Sequence, residues 1–163
     1  GHVDFAPVDE IEQQVLHYIQ QIKKRVSYEQ LLSGYGLEQI YQALLFINQG
    51  KKIATIENKL SAKDISSRAI ANQCDTCRQA LTLFCNVLGS FAGNLALTMN
   101  SQGGVYIAGG IAPRFIDYLI GSNFRGRFEA KGRLSYITEQ APTYVITEPQ
   151  PGLLGAAAFL LQQ

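Results

Sequence analysis

Two short stretches near the start of the chain carry side chains that could hydrogen-bond a polyhydroxylated ligand. The chain opens GHVDFAP, where His2 precedes a strand-like VDF. Further on, RVSYEQLLSGYGL places Glu29 at the second position of a helix that Ser27 is predicted to cap. The helix dipole favours an ionised carboxylate there, and such a group accepts hydrogen bonds from two neighbouring sugar hydroxyls. From spacing alone, a surface glutamate and a frayed terminal histidine are the more common arrangements, so these residues are only candidates.

A glycine-rich strand end, GGVYIAGGIAPR, is the second place where chemistry could occur. A buried strand that ends at Gly109 and Gly110 would let a ligand approach bare backbone, and Pro113 then starts a helix. Open α/β sheets bind nucleotides at this edge. Neither the Gly-Lys-Ser/Thr of a Walker loop nor a GxGxxG follows the strand. Tight packing is therefore the more frequent explanation, and a nucleotide edge remains the alternative.

The three cysteines, Cys74, Cys77 and Cys85, are predicted to be core residues. CDTC suggests zinc or redox chemistry, but zinc would need a second pair of ligands at matching spacing. Cys74, Cys77 and Cys85 instead recur with leucine and phenylalanine at helical spacing, as small hydrophobic residues do. We expect no metal site in this chain.

Composition and charge favour one intracellular globular domain. The chain has 163 residues, 47% hydrophobic and 17% charged, with net charge +1. Its one basic cluster, Lys23–Arg25, is typical of a solvated helix end, so no nucleic-acid partner is expected. Residues 80–99 are apolar enough to cross a bilayer, but their Thr, Ser and Asn side chains favour a buried central helix. We expect no membrane association and a cytoplasmic location.

The elements that position these candidates are helices first and an α/β unit afterwards. Capping boxes predict helices after Asp9, after Ser27 and after Ser61, and the Ser27 helix is expected to stop at Gly34. The remainder indicates strand, helix, strand, helix, with a parallel pair of strands buried on both faces. Two strands alone leave unpaired edges, so further strands are expected from a partner or from chain outside this sequence.

These segments together resemble the carboxyl-terminal half of bacterial glucokinases, in the hexokinase/actin-like ATPase superfamily. GHVDFAP is similar to the end of the family's Gly-Glu-Gly-Gly-His segment, and YEQLLSGYGL to its second glutamate segment. GGVYIAGGIAPR resembles the adenosine motif, and CDTCRQAL, GNLAL, EAKGR and PGLLGAA follow the family's helices. The likeness covers essentially the whole chain.

The resemblance implies a fold class and a domain assignment. The fold is α/β, a truncated ribonuclease H-like/actin-like ATPase large lobe, with a helix-rich insertion and then a βαβα unit. Residues 1–163 would form the carboxyl-terminal large domain, and residues 151–163 a closing helix that returns to an amino-terminal lobe. The opening GHVDFAP is then interpreted as a cut within a longer protein.

The resemblance also implies an activity. The intact protein would transfer the γ-phosphoryl group of ATP to the 6-hydroxyl of glucose, with Mg²⁺ as cofactor. The chain by itself is expected to form a homo-oligomer that covers the apolar faces around Val105, Ile107, Val145 and the helix Leu153–Leu161. His2 and Glu29 would contact the sugar, and Gly109 and Gly110 would lie against the adenosine. The catalytic aspartate and the phosphate loops precede this segment in the family, so the chain alone is expected to be inactive. The alternatives are a non-catalytic sugar or nucleotide sensor of a related repressor group and a helical interaction module.

Overall fold

The computed structural model describes residues 1–49 and 59–162, and helices dominate them. In chain order the elements are α1 Glu10–Gln20, a 3₁₀ turn Tyr28–Gln30, α2 Gly34–Gln49, α3 Ala62–Ile70, α4 Asp75–Met99, β1 Val105–Ile107, a 3₁₀ turn Ala112–Phe115, α5 Ile116–Gly121, α6 Phe124–Glu129, a 3₁₀ turn Gly132–Leu134, α7 Ser135–Gln140, β2 Thr143–Val145 and α8 Pro151–Leu161.

Helix α4 is the centre of the core. Helices α2, α3 and α6 pack around it, and Gly89 and Gly93 let α6 come close, because a Cβ at either position would collide with the carbonyl oxygens of Phe124 and Phe128. Within the described residues, α4 is the one helix long and apolar enough to span a membrane, and 61% of its most apolar window is buried inside the fold. Its apolar composition thus matches the packing around it, as predicted for a central helix.

Two of the three predicted caps are confirmed. The Asp9 carboxylate accepts the Glu12 N–H at 2.9 Å, and Ser61 Oγ accepts the Asp64 N–H at 3.2 Å. The prediction for Ser27 is wrong, because this residue makes no capping bond and precedes only one 3₁₀ turn. Gly34, which was predicted to end the Ser27 helix, is instead the first residue of α2.

The start of α2 explains that error. Ser33 Oγ accepts the Gly36 N–H at 3.0 Å and acts as the cap. A Cβ on Gly36 would collide with the backbone of Leu31, so glycine at this position lets the first turn of α2 fold back onto the preceding 3₁₀ turn. Ser27 is occupied differently, since it forms an antiparallel bridge with Asp4.

Strands β1 and β2 are parallel, as predicted, with Val105 opposite Thr143 and Ile107 opposite Val145. The prediction that both faces are buried is wrong. Tyr106 and Tyr144 stack on each other on the outer face, ring centroids 4.9 Å apart, and are 62% and 47% exposed. Only the inner face packs on helices within the described residues, which is why alternate side chains are exposed.

Helix α8 follows β2, and all of its residues after Pro151 are exposed. Pro151 occupies its first turn, where a missing N–H costs no hydrogen bond. Its large side chains are nevertheless apolar: Leu153, Leu154, Phe159, Leu160 and Leu161 are each more than half exposed. Such a contiguous apolar surface is typical of an interaction site.

Candidate sugar and nucleotide site

The structure brings the two predicted sugar-contacting residues together. Residues 1–5 run antiparallel to residues 26–29. At the end of this pairing the Glu29 N–H donates to the Gly1 carbonyl at 2.8 Å, so Glu29 lies beside the residue that precedes His2. Residues far apart in sequence are therefore neighbours, and backbone hydrogen bonds hold them there.

Both side chains are available to a ligand. His2 and Glu29 are exposed, and a Cβ on Gly1 would lie 2.6 Å from Glu29 Oε2. The Glu29 carboxylate thus lies directly against the Gly1 backbone, and a larger residue at position 1 would displace it. An imidazole and a carboxylate at one edge are suited to several hydroxyls of a single sugar.

Arg25 braces this edge, and sequence reasoning missed its role. Its Nε lies 2.5 Å from Asp4 Oδ1, and its Nη2 donates to the His2 carbonyl at 2.6 Å. Because Arg25 hydrogen-bonds both the His2 carbonyl and the Asp4 carboxylate, it fixes the orientation of the His2 peptide. Its place in the basic Lys23–Arg25 cluster indicated only a solvated helix end, so no sequence signal distinguished it.

Three aromatic rings pack the edge that carries His2 and Glu29 against α4. Phe5 meets Tyr28 edge-on at 5.5 Å between ring centroids, and Tyr28 stacks on Phe91 of α4 at 4.4 Å. Asn94 Nδ2 lies 3.5 Å from the Tyr28 hydroxyl. Burial raises the pKa of Tyr28, so the phenol stays protonated and neutral under the site. The paired segments are therefore anchored on the central helix.

The glycine pair follows β1 and faces open space. Among the residues that the structure describes, no heavy atom lies within 4 Å of a Cβ built on Gly109 or Gly110, and Gly109 has φ +116°. Both glycines line a cavity of ≈130 Å³, together with Phe84 and Leu88 of α4 and with Leu32, three residues after Glu29. Bare backbone is thus available to a flat ligand beside the segment that carries Glu29.

The cysteines are structural, as predicted. Cys74 caps α4, since its Sγ accepts the Cys77 N–H at 3.2 Å. Burial raises the pKa of the Cys77 and Cys85 thiols to about 12, and both remain protonated at neutral pH. Among residues 1–49 and 59–162, no three His, Cys, Asp or Glu side chains form a cluster that could hold a metal ion.

Comparison with solved structures defines the class of protein. The chain superposes over its full length on the crystal structure of a glucokinase from an Antarctic psychrotroph, with TM-score 0.88 and 35% identity, and covers 49% of that chain. It also matches a glucokinase from Balamuthia mandrillaris solved in complex with glucose, with TM-score 0.77 and 23% identity, over 91% of this chain and 42% of that one. The second match bears on the fold alone. The fold is that of an actin-like ATPase.

Sequence comparison identifies the family. The glucokinase family model matches residues 1–163, and the chain belongs to that family. It is 65% identical over 162 residues to a glucokinase of Colwellia psychrerythraea and 50% identical over 163 residues to one of Yersinia pestis. These matches cover 99% and 100% of this chain but 49% of each relative, so the chain spans about half their length. A repressor-type sensor is not favoured.

Proposed function

We propose that this chain is the carboxyl-terminal half of an ATP-dependent glucokinase, which transfers the γ-phosphoryl group of ATP to the 6-hydroxyl of glucose. The observation that carries the proposal is the pairing of residues 1–5 with residues 26–29, which sets His2 and Glu29 on one exposed edge. An imidazole and a carboxylate at that edge hydrogen-bond sugar hydroxyls.

Gly109 and Gly110 bind the nucleotide in this reaction. Gly109 and Gly110 lie open above their cavity, so the flat base of ATP rests on their backbone. Phosphoryl transfer depends on positioning and charge stabilisation more than on covalent chemistry by the protein. His2, Glu29 and the glycines bind and orient the two substrates, and the general base lies outside this chain. Mg²⁺ is the expected cofactor of this transfer.

The domain assignment is part of the same proposal. Residues 1–163 form the carboxyl-terminal large domain of the glucokinase, which is a truncated ribonuclease H-like/actin-like ATPase large lobe. Residues 151–163 form the closing helix, which returns to the amino-terminal lobe through the apolar side chains of α8. The intact protein acts in the cytoplasm with glucose and ATP as its ligands, and the chain by itself forms a homo-oligomer.

A chimeric enzyme tests the site. In this chimera, the segment of the Colwellia psychrerythraea glucokinase that aligns with the chain is replaced by residues 1–163. Glu29→Gln and His2→Ala should each raise the glucose KM of the chimera by about tenfold to a hundredfold, because Glu29→Gln removes the charge of one hydrogen-bond acceptor and His2→Ala removes the second hydrogen-bonding side chain. Glu10→Gln is the matched control, because Glu10 is also an exposed glutamate in a first helical turn. If Glu10→Gln raises the glucose KM as much as Glu29→Gln, the site assignment is wrong.

A further inference from the structure

The guanidinium of Arg127 on α6 connects three elements. It donates to Glu12 Oε1 at 2.6 Å, to Ser90 Oγ at 2.9 Å and to Asp9 Oδ2 at 3.2 Å. The Arg127 side chain is 11% exposed and that of Glu12 is 1% exposed, so the contact is shielded from water. A fork of N–H donors fixed on three acceptors defines both distance and orientation.

Glu12 links Arg127 to the segment that carries His2. Its second carboxylate oxygen, Oε2, accepts the Val8 N–H at 2.7 Å. Asp9 contributes as well, because the same carboxylate that meets Arg127 caps α1 through the Glu12 N–H at 2.9 Å. The backbone between His2 and α1 is therefore tied, through two carboxylates, to a side chain of α6.

Helix α6 is itself held independently of that segment. Gly89 and Gly93 of α4 admit the α6 carbonyls, and Lys131 Nζ lies 3.4 Å from the Ser90 carbonyl and 3.3 Å from the Arg127 carbonyl. The position of Arg127 is thus set by the core. The segment before α1 has fewer restraints, since most of residues 1–8 are exposed.

We propose that Arg127 is a positioning residue for the sugar, which fixes residues 1–8 through Glu12 so that His2 and Glu29 face the same hydroxyls. The proposal rests on the proposed function, because it assigns the sugar to that edge. Arg127 itself makes no contact with the ligand. Its effect is on the orientation of the paired segments, as for side chains that support a binding constellation from behind.

The test compares Arg127→Met with Arg125→Met in the chimera. Arg125 is a matched control two residues away, because it also forms an ion pair, with Glu129, and donates to carbonyls near α7. Within the described residues, it forms no hydrogen bond or ion pair with residues 1–12. Both variants should lower thermal stability. Only Arg127→Met should raise the glucose KM, by about fivefold or more, while the ATP KM changes by less than about twofold. Arg127→Lys should give a glucose KM between those of the parent chimera and Arg127→Met, since lysine retains a hydrogen-bond donor.

Hydrogen–deuterium exchange gives a readout that does not depend on turnover. Arg127→Met should speed exchange in peptides spanning residues 1–8 and 26–31, whose amides close the pairing, and Arg125→Met should not. Should Arg127→Met not fold, Glu12→Gln replaces it, since it retains the acceptor for Val8 but weakens the contact with Arg127.

Three results would overturn the proposal: unchanged exchange in residues 1–8, glucose and ATP KM values that rise together, or an equal rise in Arg125→Met. A parent chimera that is folded but does not phosphorylate glucose defeats the proposed function and, with it, the sugar role. The exchange data then still report whether Arg127 holds the segment.

Discussion

An added methyl group should destabilise the protein at Gly104, before β1, but should leave its stability nearly unchanged at Gly110, after β1. Gly104 precedes β1 with φ +105°, a conformation that L side chains rarely adopt. A Cβ there would lie 2.7 Å from the Pro142 carbonyl oxygen, which accepts the Val105 N–H at 2.9 Å. Gly104→Ala therefore strains the backbone and pushes apart the first hydrogen bond between β1 and β2.

Gly110 has neither constraint. Its backbone lies outside the left-handed region, and no atom of residues 1–49 or 59–162 lies within 4 Å of a Cβ built on it. The combined strain and overpacking at Gly104 should cost about 2–4 kcal/mol, which for a domain of this size lowers Tm by about 4–16 °C. Gly110→Ala should change stability by less than about 0.5 kcal/mol, as expected for an exposed position.

Kinetics in the chimera then separate the two roles. The methyl group of Gly110→Ala occupies the space assigned to the base, so the ATP KM should rise about tenfold or more while the glucose KM changes by less than about twofold. Calorimetric unfolding supplies the Tm values and a coupled assay the KM values. An ATP KM that does not change in a stable Gly110→Ala chimera would refute the assignment of the glycine pair to the nucleotide.

Three further predictions concern the chain itself. At pH 8 an alkylating reagent should not modify Cys77 and Cys85 until the protein unfolds, since burial raises the pKa of both thiols to about 12; rapid labelling in the native state would contradict this. Burial also raises the pKa of the Glu12 carboxyl above its usual value of 4.5. The stability that the protonated carboxyl contributes is therefore complete below pH 4.5 and is lost as the pH rises through the pKa of Glu12 in the folded protein. The unfolding free energy of the parent minus that of Glu12→Gln should therefore fall between pH 4 and pH 8, and a rise would show that the attraction of Arg127 outweighs burial. Light scattering should show self-association of the isolated chain, because the apolar side chains of α8 are exposed; a monodisperse monomer would contradict it.

Local chemistry made part of the fold predictable. Asp9 and Ser61 begin helices because each side chain finds an N–H three residues on, an interaction that needs no tertiary context. The same pattern failed at Ser27, which a distant segment recruits into a bridge. The β1 pattern indicated burial on both faces, but a strand is buried only by what packs on it, and Tyr106 has no covering element within the described residues.

The candidate site was predictable only in part, for a related reason. Spacing made His2 and Glu29 candidates, and it was the resemblance to glucokinases that singled them out. Arg25 and Arg127 carried no signal, because their partners lie far along the chain: Arg25 meets His2 across 23 residues, and Arg127 meets Glu12 across 115. Contacts of that separation depend on how the helices pack, which periodicity and capping motifs do not encode.

The most direct test of the central claim is the rate of glucose 6-phosphate formation by the 163-residue chain alone and by the chimera. Both proteins would be assayed with ATP, Mg²⁺ and glucose, after circular dichroism has shown that each is folded. The chain should give no rate above the background without enzyme, whereas the chimera should turn over. Glucose phosphorylation by the isolated chain, or a folded chimera without activity, would contradict the account.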